Sequence, residues 1–453
     1  MKHIDSRTLA HDILNGLDQG NQTLDGLLEK ATENVNFPYQ KDRSVLQAIT
    51  FGVLRWRKRL DWTIARFSNT PFENIDPTVL NILRVGLFQI KFMDRIPVSA
   101  AVNTSVELAK TSEPAWVVKF VNALLRSAAS SNDGADFPAP EHGLVESMSV
   151  EKSFPEPLIK RWLERFGEKE TRELCDASNR IAPITVRMNS LRTTREKILK
   201  SLDGETGRAW PARISPDGIV FSNPKKPIFE LTAFRLGWFQ VQDEAAQLAA
   251  SLLDPQPAET VLDACAGLGG KTGQIAQTMK NRGRIVAMDN NRTKLQKLAK
   301  DMDRQIFTNV TTHVHDLDEP LKGRPFRQYD RIFLDAPCSG SGVLRRNPDG
   351  KWRVDWENLK TYHVRQNKFL ENLAPALKPG GVLVYCVCSM EPEETDEVAD
   401  NFLINHREFS IRKPPQELVD KEPSLFTDRG FFRSYPHRHE MDGFFAAGFV
   451  KKK

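Results

Sequence analysis

A chain of 453 residues is too long for one hydrophobic core, so two or three domains are expected. At 40% hydrophobic and 27% charged, the composition is that of a soluble protein, and no apolar run approaches the ~20 residues of a membrane span. The net charge of +5 permits a polyanionic partner without requiring one, and five cysteines argue against a disulfide framework.

The opening stretch is polar and amphipathic, without a signal-type apolar region, so a cytoplasmic protein is expected. Residues 1–132 read as helices, with apolar positions at helical spacing in "RTLAHDILNGLDQG", "RSVLQAITFGVLRWRKRLDWTIARF", "PTVLNILRVGLFQIKFM" and "AWVVKFVNALLRSAA". The basic cluster Arg55-Trp56-Arg57-Lys58-Arg59 suits a phosphate backbone, and equally a solvated helix face. Small and breaker residues place a linker over 133–150. Residues 151–235 mix helix and short strands, as in a small α/β module. From 236 to 453, strands alternate with helices, which predicts a mostly parallel sheet covered on both faces. Ligands of such sheets bind at the carboxyl ends of the strands.

The stretch "DACAGLGGKT" (263–272) is a glycine-rich turn between a strand and a helix. A phosphate-cradling Walker loop needs glycine where Cys265 stands, and the dinucleotide pattern meets Thr272 where its third glycine should be. What remains is a loop whose backbone closely approaches a ligand such as S-adenosylmethionine. Asp289 ends the next strand, where an acidic side chain holds a ribose. Asp316 is placed to take the adenine amino group. Each aspartate alone is equally a cap or turn former.

The next strand ends in "LDAPCSGSG" (334–342) and the one after in "YCVCS" (385–389). Cys386 and Cys388 are expected to point to opposite faces, which disfavours joint zinc binding; His437 and His439 are a remote alternative pair. A redox pair usually has two intervening residues, not one. Two thiols at adjacent strand ends above a methyl-donor loop suit methylation of carbon. A thiolate added to C6 of a pyrimidine turns the ring into an enamine whose C5 can attack a methyl group.

These motifs, with "QVQDEAAQ" (240–247), "RRNPDGKW" (345–352) and "DGFFAAGF" (442–449), resemble the RNA cytosine-C5 methyltransferases of the NOL1/NOP2/Sun family. The N-terminal helices resemble a NusB-type RNA-binding domain, notably in "FGVLRWRKRLDWTI" and "FVNALLR". The pairing resembles bacterial 16S rRNA methyltransferases and covers nearly the whole chain. The resemblance implies a multidomain architecture: an all-α NusB-like domain, a small α/β (RRM/ferredoxin-like) module and a C-terminal Rossmann-like class I methyltransferase. It implies Cys388 as nucleophile and Cys338 as the residue that helps release the product. It implies that S-adenosylmethionine binds Cys265, Ala266, Gly267, Leu268, Gly269, Gly270 and Lys271, with Asp289, Asp316 and Asp335, and that Lys271 and Asp335 also reach the target cytosine. The implied partner is 16S rRNA, naked or partly assembled, met by a monomer with no membrane involved. Gly267-Leu268 replaces the family's usual Ala-Pro and Val387 its usual Thr, so a more flexible loop is expected. Two other readings remain open: methylation of a nitrogen or a small molecule, and a non-catalytic RNA-binding assembly factor.

Overall fold

The computed structural model describes residues 5–20, 22–33, 40–130, 137–138, 143–321 and 328–453. It contains two compact units. Met1–Asn179 with Asn347–Val354 form one, and Arg180–Arg346 with Asp355–Lys453 the other.

The first unit is helical. Its helices are Ser6–Asp18, Leu24–Glu33, Gln40–Phe67, Pro77–Phe92, Val98–Ser112, Ala115–Ala129, Leu144–Lys152 and Glu156–Asn179, joined by the short turn Gly350–Arg353. Asp76 caps the fourth helix by accepting from Thr78 N–H, with Pro77 at its first position. That helix is apolar on nearly every side (Val79, Leu80, Ile82, Leu83, Val85, Leu87, Phe88), and the first, third, fifth and sixth helices pack around it. Gly52 allows one close crossing: a Cβ there would lie 1.9 Å from the Phe88 ring. Much of the stretch expected as a linker lies outside the described residues, and its end, Leu144–Lys152, is a helix.

The third helix breaks at Trp56, whose φ of −111° and ψ of 18° are not helical. The break frees backbone groups, and other segments of the unit satisfy them. Trp352 Nε1 donates to Leu54 O at 2.6 Å. Lys351 Nζ donates to Arg55 O and Ser153 O, each at 3.0 Å, and to Asn179 Oδ1 at 2.7 Å. Lys58 N–H donates to Ser153 Oγ. Lys351 is fully buried, and burial pulls its pKa well below the lysine range. Much of the basic cluster read as a phosphate or solvent face is turned inward. Arg55 is buried, Arg57 pairs with Asp18 and Lys58 with Glu156, while Arg59 lies over the Trp56 and Phe92 rings.

The second unit begins with a small antiparallel sheet of order β2-β3-β1-β4, with β1 Ile184–Met188, β2 Ala209–Pro211, β3 Gly218–Phe221 and β4 Phe239–Val241. Helix Arg195–Leu202 packs on it around Val186, Ile198, Ile219, Phe221 and Phe239. The large sheet follows: β5 Thr260–Ala264, β6 Arg284–Asp289, β7 Val310–Val314, β8 Tyr329–Asp335, β9 Leu377–Val387, β10 Phe409–Ile411, β11 Phe432–Ser434 and β12 Phe444–Lys451. Its order is β10-β12-β9-β8-β5-β6-β7, with β11 paired to β12. The run from β9 to β7 is parallel and its central strands are near-continuous apolar runs buried on both faces. The β10, β11 and β12 pairings are antiparallel, so the sheet is mixed at that edge. The strand order reverses at β5, between β6 and β8, which opens a crevice at the carboxyl ends of β5 and β8.

Candidate active site

The residues singled out above gather at that crevice. Beyond β5, Cys265 takes a left-handed backbone at φ +67°, a strain of order 1–3 kcal/mol that clusters at functional sites. Gly267 follows at φ +55°, and a Cβ on it would meet nothing within 4 Å, so the loop backbone faces open space there. Asp289, at the end of β6, ties this loop down. Its Oδ2 accepts from Gly267 N–H at 2.9 Å and its Oδ1 from Asn291 N–H at 2.8 Å. Asp316 follows β7, held below the usual carboxylate range by the Asp318 N–H at 3.0 Å.

Cys265, Gly267, Asp289, Asp316, Asp335, Cys338 and Cys388 all line one cavity of about 360 Å³. A second, of about 340 Å³, adjoins it at Cys265, Gly267 and Asp335, and takes in Ala266, Leu268, Gly270 and Lys271. Of the expected loop residues, Gly269 stands in neither lining. The first cavity has acidic groups at two strand ends and a backbone open at Gly267, so its donor set fits a nucleoside-bearing methyl donor.

Lys271 and Asp335 meet between the two cavities, with Nζ 2.5 Å from Oδ2. Burial opposes the lysine's charge, but Asp335 and the nearby thiols of Cys386 and Cys388 hold it above the usual lysine range. Below them, Asp263 is fully enclosed and accepts from Thr272 Oγ1 at 2.5 Å. Its Oδ1 is buried without a hydrogen-bond partner. Burial, with Asp335 and Asp289 nearby, pushes its carboxyl up to about 7 against the Thr272 hydrogen bond and the Lys271 charge.

Strands β8 and β9 run level, with Asp335 opposite Cys386. The loops beyond them bring Cys338 Sγ to 3.3 Å from Cys388 Sγ. The contact with Cys388, together with burial, raises the Cys338 thiol well above its ordinary range, so it is protonated at neutral pH. The expectation that Cys386 and Cys388 point to opposite faces is wrong, because residues two apart in a strand share a face. Both pack against the same apolar cluster. The end of β9 at Val387 is what distinguishes them: Cys386 is fully buried inside the strand, and Cys388, just past it, is half-buried on the cavity wall. Among the described residues, no cluster of His, Cys, Asp and Glu could hold a metal ion.

Several residues belong here that sequence reasoning quoted without giving them a role. Gln242, Asp243, Arg346, Asp442 and Phe444 line the second cavity. Arg345 Nε reaches Asp442 Oδ1 at 2.5 Å; Arg346 bridges Asp442 Oδ2 and Asp243 Oδ2, each at 2.7 Å. Burial opposes the Arg346 charge, but both aspartates hold it above its usual range. Three motifs far apart in sequence thus form one wall, and their shared Arg/Asp content was the available signal. Phe444 turns its ring towards Lys271 Nζ, 5.4 Å from the centroid.

A family model described as 16S rRNA methyltransferase RsmB/F matches residues 250–450, the NusB family matches 4–130, and an RsmF/B-like ferredoxin-like domain matches 154–227. A probable ribosomal RNA small subunit methyltransferase B from Synechocystis sp. is 33% identical, covering 99% of this chain and 100% of its own. The Bacillus subtilis protein of the same description is 32% identical, with 100% of both chains covered. Among solved structures, PH0851 matches at 26% identity and TM-score 0.82 over 100% of each chain. NSun6 from Pyrococcus horikoshii with SFG shares the fold at 22% identity and TM-score 0.57, covering 67% of this chain and 99% of that one. With its helical NusB-like part, its ferredoxin-like module and its α/β catalytic sheet, the chain belongs to the RsmB/F family of 16S rRNA methyltransferases, which depend on S-adenosylmethionine.

Proposed function

We propose that this protein methylates C5 of a cytosine in small-subunit (16S) rRNA through a covalent bond between Cys388 and C6. The observation that carries this reading is the pair of thiols, 3.3 Å apart at neighbouring strand ends and both on the wall of the first cavity. A nitrogen has a lone pair of its own to attack a methyl group, whereas C5 of cytosine has none, and a thiol added beside it supplies the missing electron density. S-adenosylmethionine, when bound, supplies the methyl group. Asp289 and Asp316 would hold its ribose and adenine, and the loop Cys265–Lys271 would pass along its remainder.

The Cys388 thiolate adds to C6, and the C5–C6 π pair moves towards C5 and the ring. The Lys271 ammonium and the Asp335 carboxylate would lie against the polar edge of the cytosine, where charge develops. Once C5 carries the methyl group, its proton leaves. The freed pair restores the C5–C6 double bond and the C6–S bond breaks, returning Cys388 as thiolate. The C5 proton passes to solvent water, and Cys338, in contact with that sulfur, would assist release of Cys388 from C6. The basic side chains of the helical unit and the small sheet would contact phosphates, with specificity coming from an unpaired or flipped cytosine.

The test uses wild type, Cys338→Ala and Cys388→Ala with 16S rRNA and methyl-labelled S-adenosylmethionine. Cys338→Ala should accumulate a protein–RNA adduct on denaturing gels, and Cys388→Ala should give neither adduct nor product. Normal methylation by both variants would overturn the covalent reading in favour of a nitrogen target.

A further inference from the structure

One buried acid beside the thiols has no role in that chemistry. Glu394 ends the short turn Pro392–Glu394 that precedes helix Asp396–Asn405, and it is fully buried. Its Oε1 accepts from Ser339 N–H at 2.8 Å and Gln366 Nε2 at 3.2 Å. Its Oε2 accepts from Ser339 Oγ at 2.5 Å and Ser389 Oγ at 2.6 Å. Ser339 directly follows Cys338 and Ser389 directly follows Cys388. The same turn is anchored from below, where Tyr385 OH donates to the Glu394 carbonyl at 2.7 Å.

We propose that Glu394 is a positioning residue for the two thiols: its carboxylate ties the loop after β8 to the loop after β9, one residue beyond each cysteine, and so sets the distance between the sulfurs. The proposal rests on the two-thiol reading above and deepens it. The β8–β9 ladder ends with Asp335 opposite Cys386, so both cysteines lie past the register that fixes the strands. Beyond that point, backbone bonds join the loops at Ala336 N–H to Cys386 O and Gly342 N–H to Cys388 O. Ser341 Oγ adds a third link by accepting from Met390 N–H. Glu394 adds bonds at the two residues adjoining the sulfurs themselves. All four of its hydrogen-bond donors are neutral, and burying a carboxylate on such terms is costly. A small apolar side chain would fill the space without that cost, so packing alone does not account for an acid here. Burial raises the Glu394 carboxyl above its ordinary range, and where it is ionised its charge disfavours the Cys338 thiolate.

Glutamine separates geometry from charge. Its carbonyl can accept from Ser339 N–H and Gln366, and its amide can donate to hydroxyls that turn to accept. The full-length protein is assayed as wild type, Glu394→Ala, Glu394→Gln, Ser339→Ala and Ser389→Ala, with Cys388→Ala as reference. Glu394→Ala should lower kcat on the order of 100-fold, the cost of misplacing reacting groups by about 1 Å, and leave KM for S-adenosylmethionine unchanged. Glu394→Gln should recover most of that loss while shifting the pH profile of Cys338 alkylation to lower pH. Each serine variant should lose part of the rate, which keeps the test decisive if the alanine variant does not fold. Wild-type kcat in Glu394→Ala, or in both serine variants, overturns the proposal, as does a Gln variant as slow as Ala. If Cys388→Ala itself turns over normally, the covalent reading has failed instead, and the two failures are distinguishable.

Discussion

Lys271 Nζ stands 2.5 Å from Asp335 Oδ2 where the two cavities join, one partner from the first turn of helix Gly270–Thr278 and the other from the end of β8. The pair makes each side chain the other's orienting group. Asp335→Asn keeps the shape but removes the anion. It should slow single-turnover methylation on the order of 10²–10³-fold, the usual cost of one lost electrostatic contact to the reacting group. Lys271→Met should slow it comparably and also lower Tm, because it leaves Asp335 facing the apolar wall without its cation. Rapid-quench assays and thermal melts on the two variants check both statements.

Asp289 spends both oxygens on backbone N–H groups of the loop and the following helix. Removing them in Asp289→Ala releases Gly267 as well as any ribose contact. Hydrogen bonds to a charged group contribute about 1.5–3 kcal/mol each. The dissociation constant for S-adenosylmethionine should therefore rise by roughly 10- to 100-fold. Isothermal titration would show this, and an unchanged affinity would remove Asp289 from the cofactor site.

The thiols should differ sharply in reactivity. Burial pushes Cys175 up to about 12 and Cys386 well above its ordinary range, and both are enclosed. Cys338 and Cys388 are half-buried on the cavity. In the folded protein, iodoacetamide should label Cys388 or Cys338 first and leave Cys175 and Cys386 untouched until denaturant is added. Peptide mass mapping over time reads the order.

Asp263 predicts a pH dependence. Its carboxyl is raised from an ordinary value near 3.9 to about 7 in the fold. The folded state therefore holds a proton that the unfolded chain gives up, and the associated stability is complete below pH ~4 and lost as pH rises towards 7. Asp263→Asn should flatten that decline and be the more stable protein at pH 8. Urea midpoints at pH 5 and pH 8 for the two proteins test the sign.

The parallel core was legible because β5, β6, β8 and β9 are buried on both faces and so read as apolar runs between helices. Asp289 and Asp316 were legible as cavity residues because β-α alternation puts them at successive strand ends. The links Glu394 makes were not, because its partners Ser339, Gln366 and Ser389 are brought to it from three separate segments. The pairing of Arg345 and Arg346 with Asp243 and Asp442 spans residues about 100 apart, beyond any local pattern. Lys351 was hidden for the same reason, since its three acceptors lie on three other segments.

That lysine bears on how the chain is made. It seals the broken helix at Arg55 from a position 172 residues beyond Asn179, another of its partners. The helical unit thus emerges from the ribosome with its kinked helix still open. At 5–20 residues per second, the missing segment arrives roughly 10–35 s later. Until then Leu54 and Arg55 have carbonyls satisfied by water, so the helical unit of the nascent protein reaches its final form only after β5 to β8, the first four strands of the large sheet, have been translated.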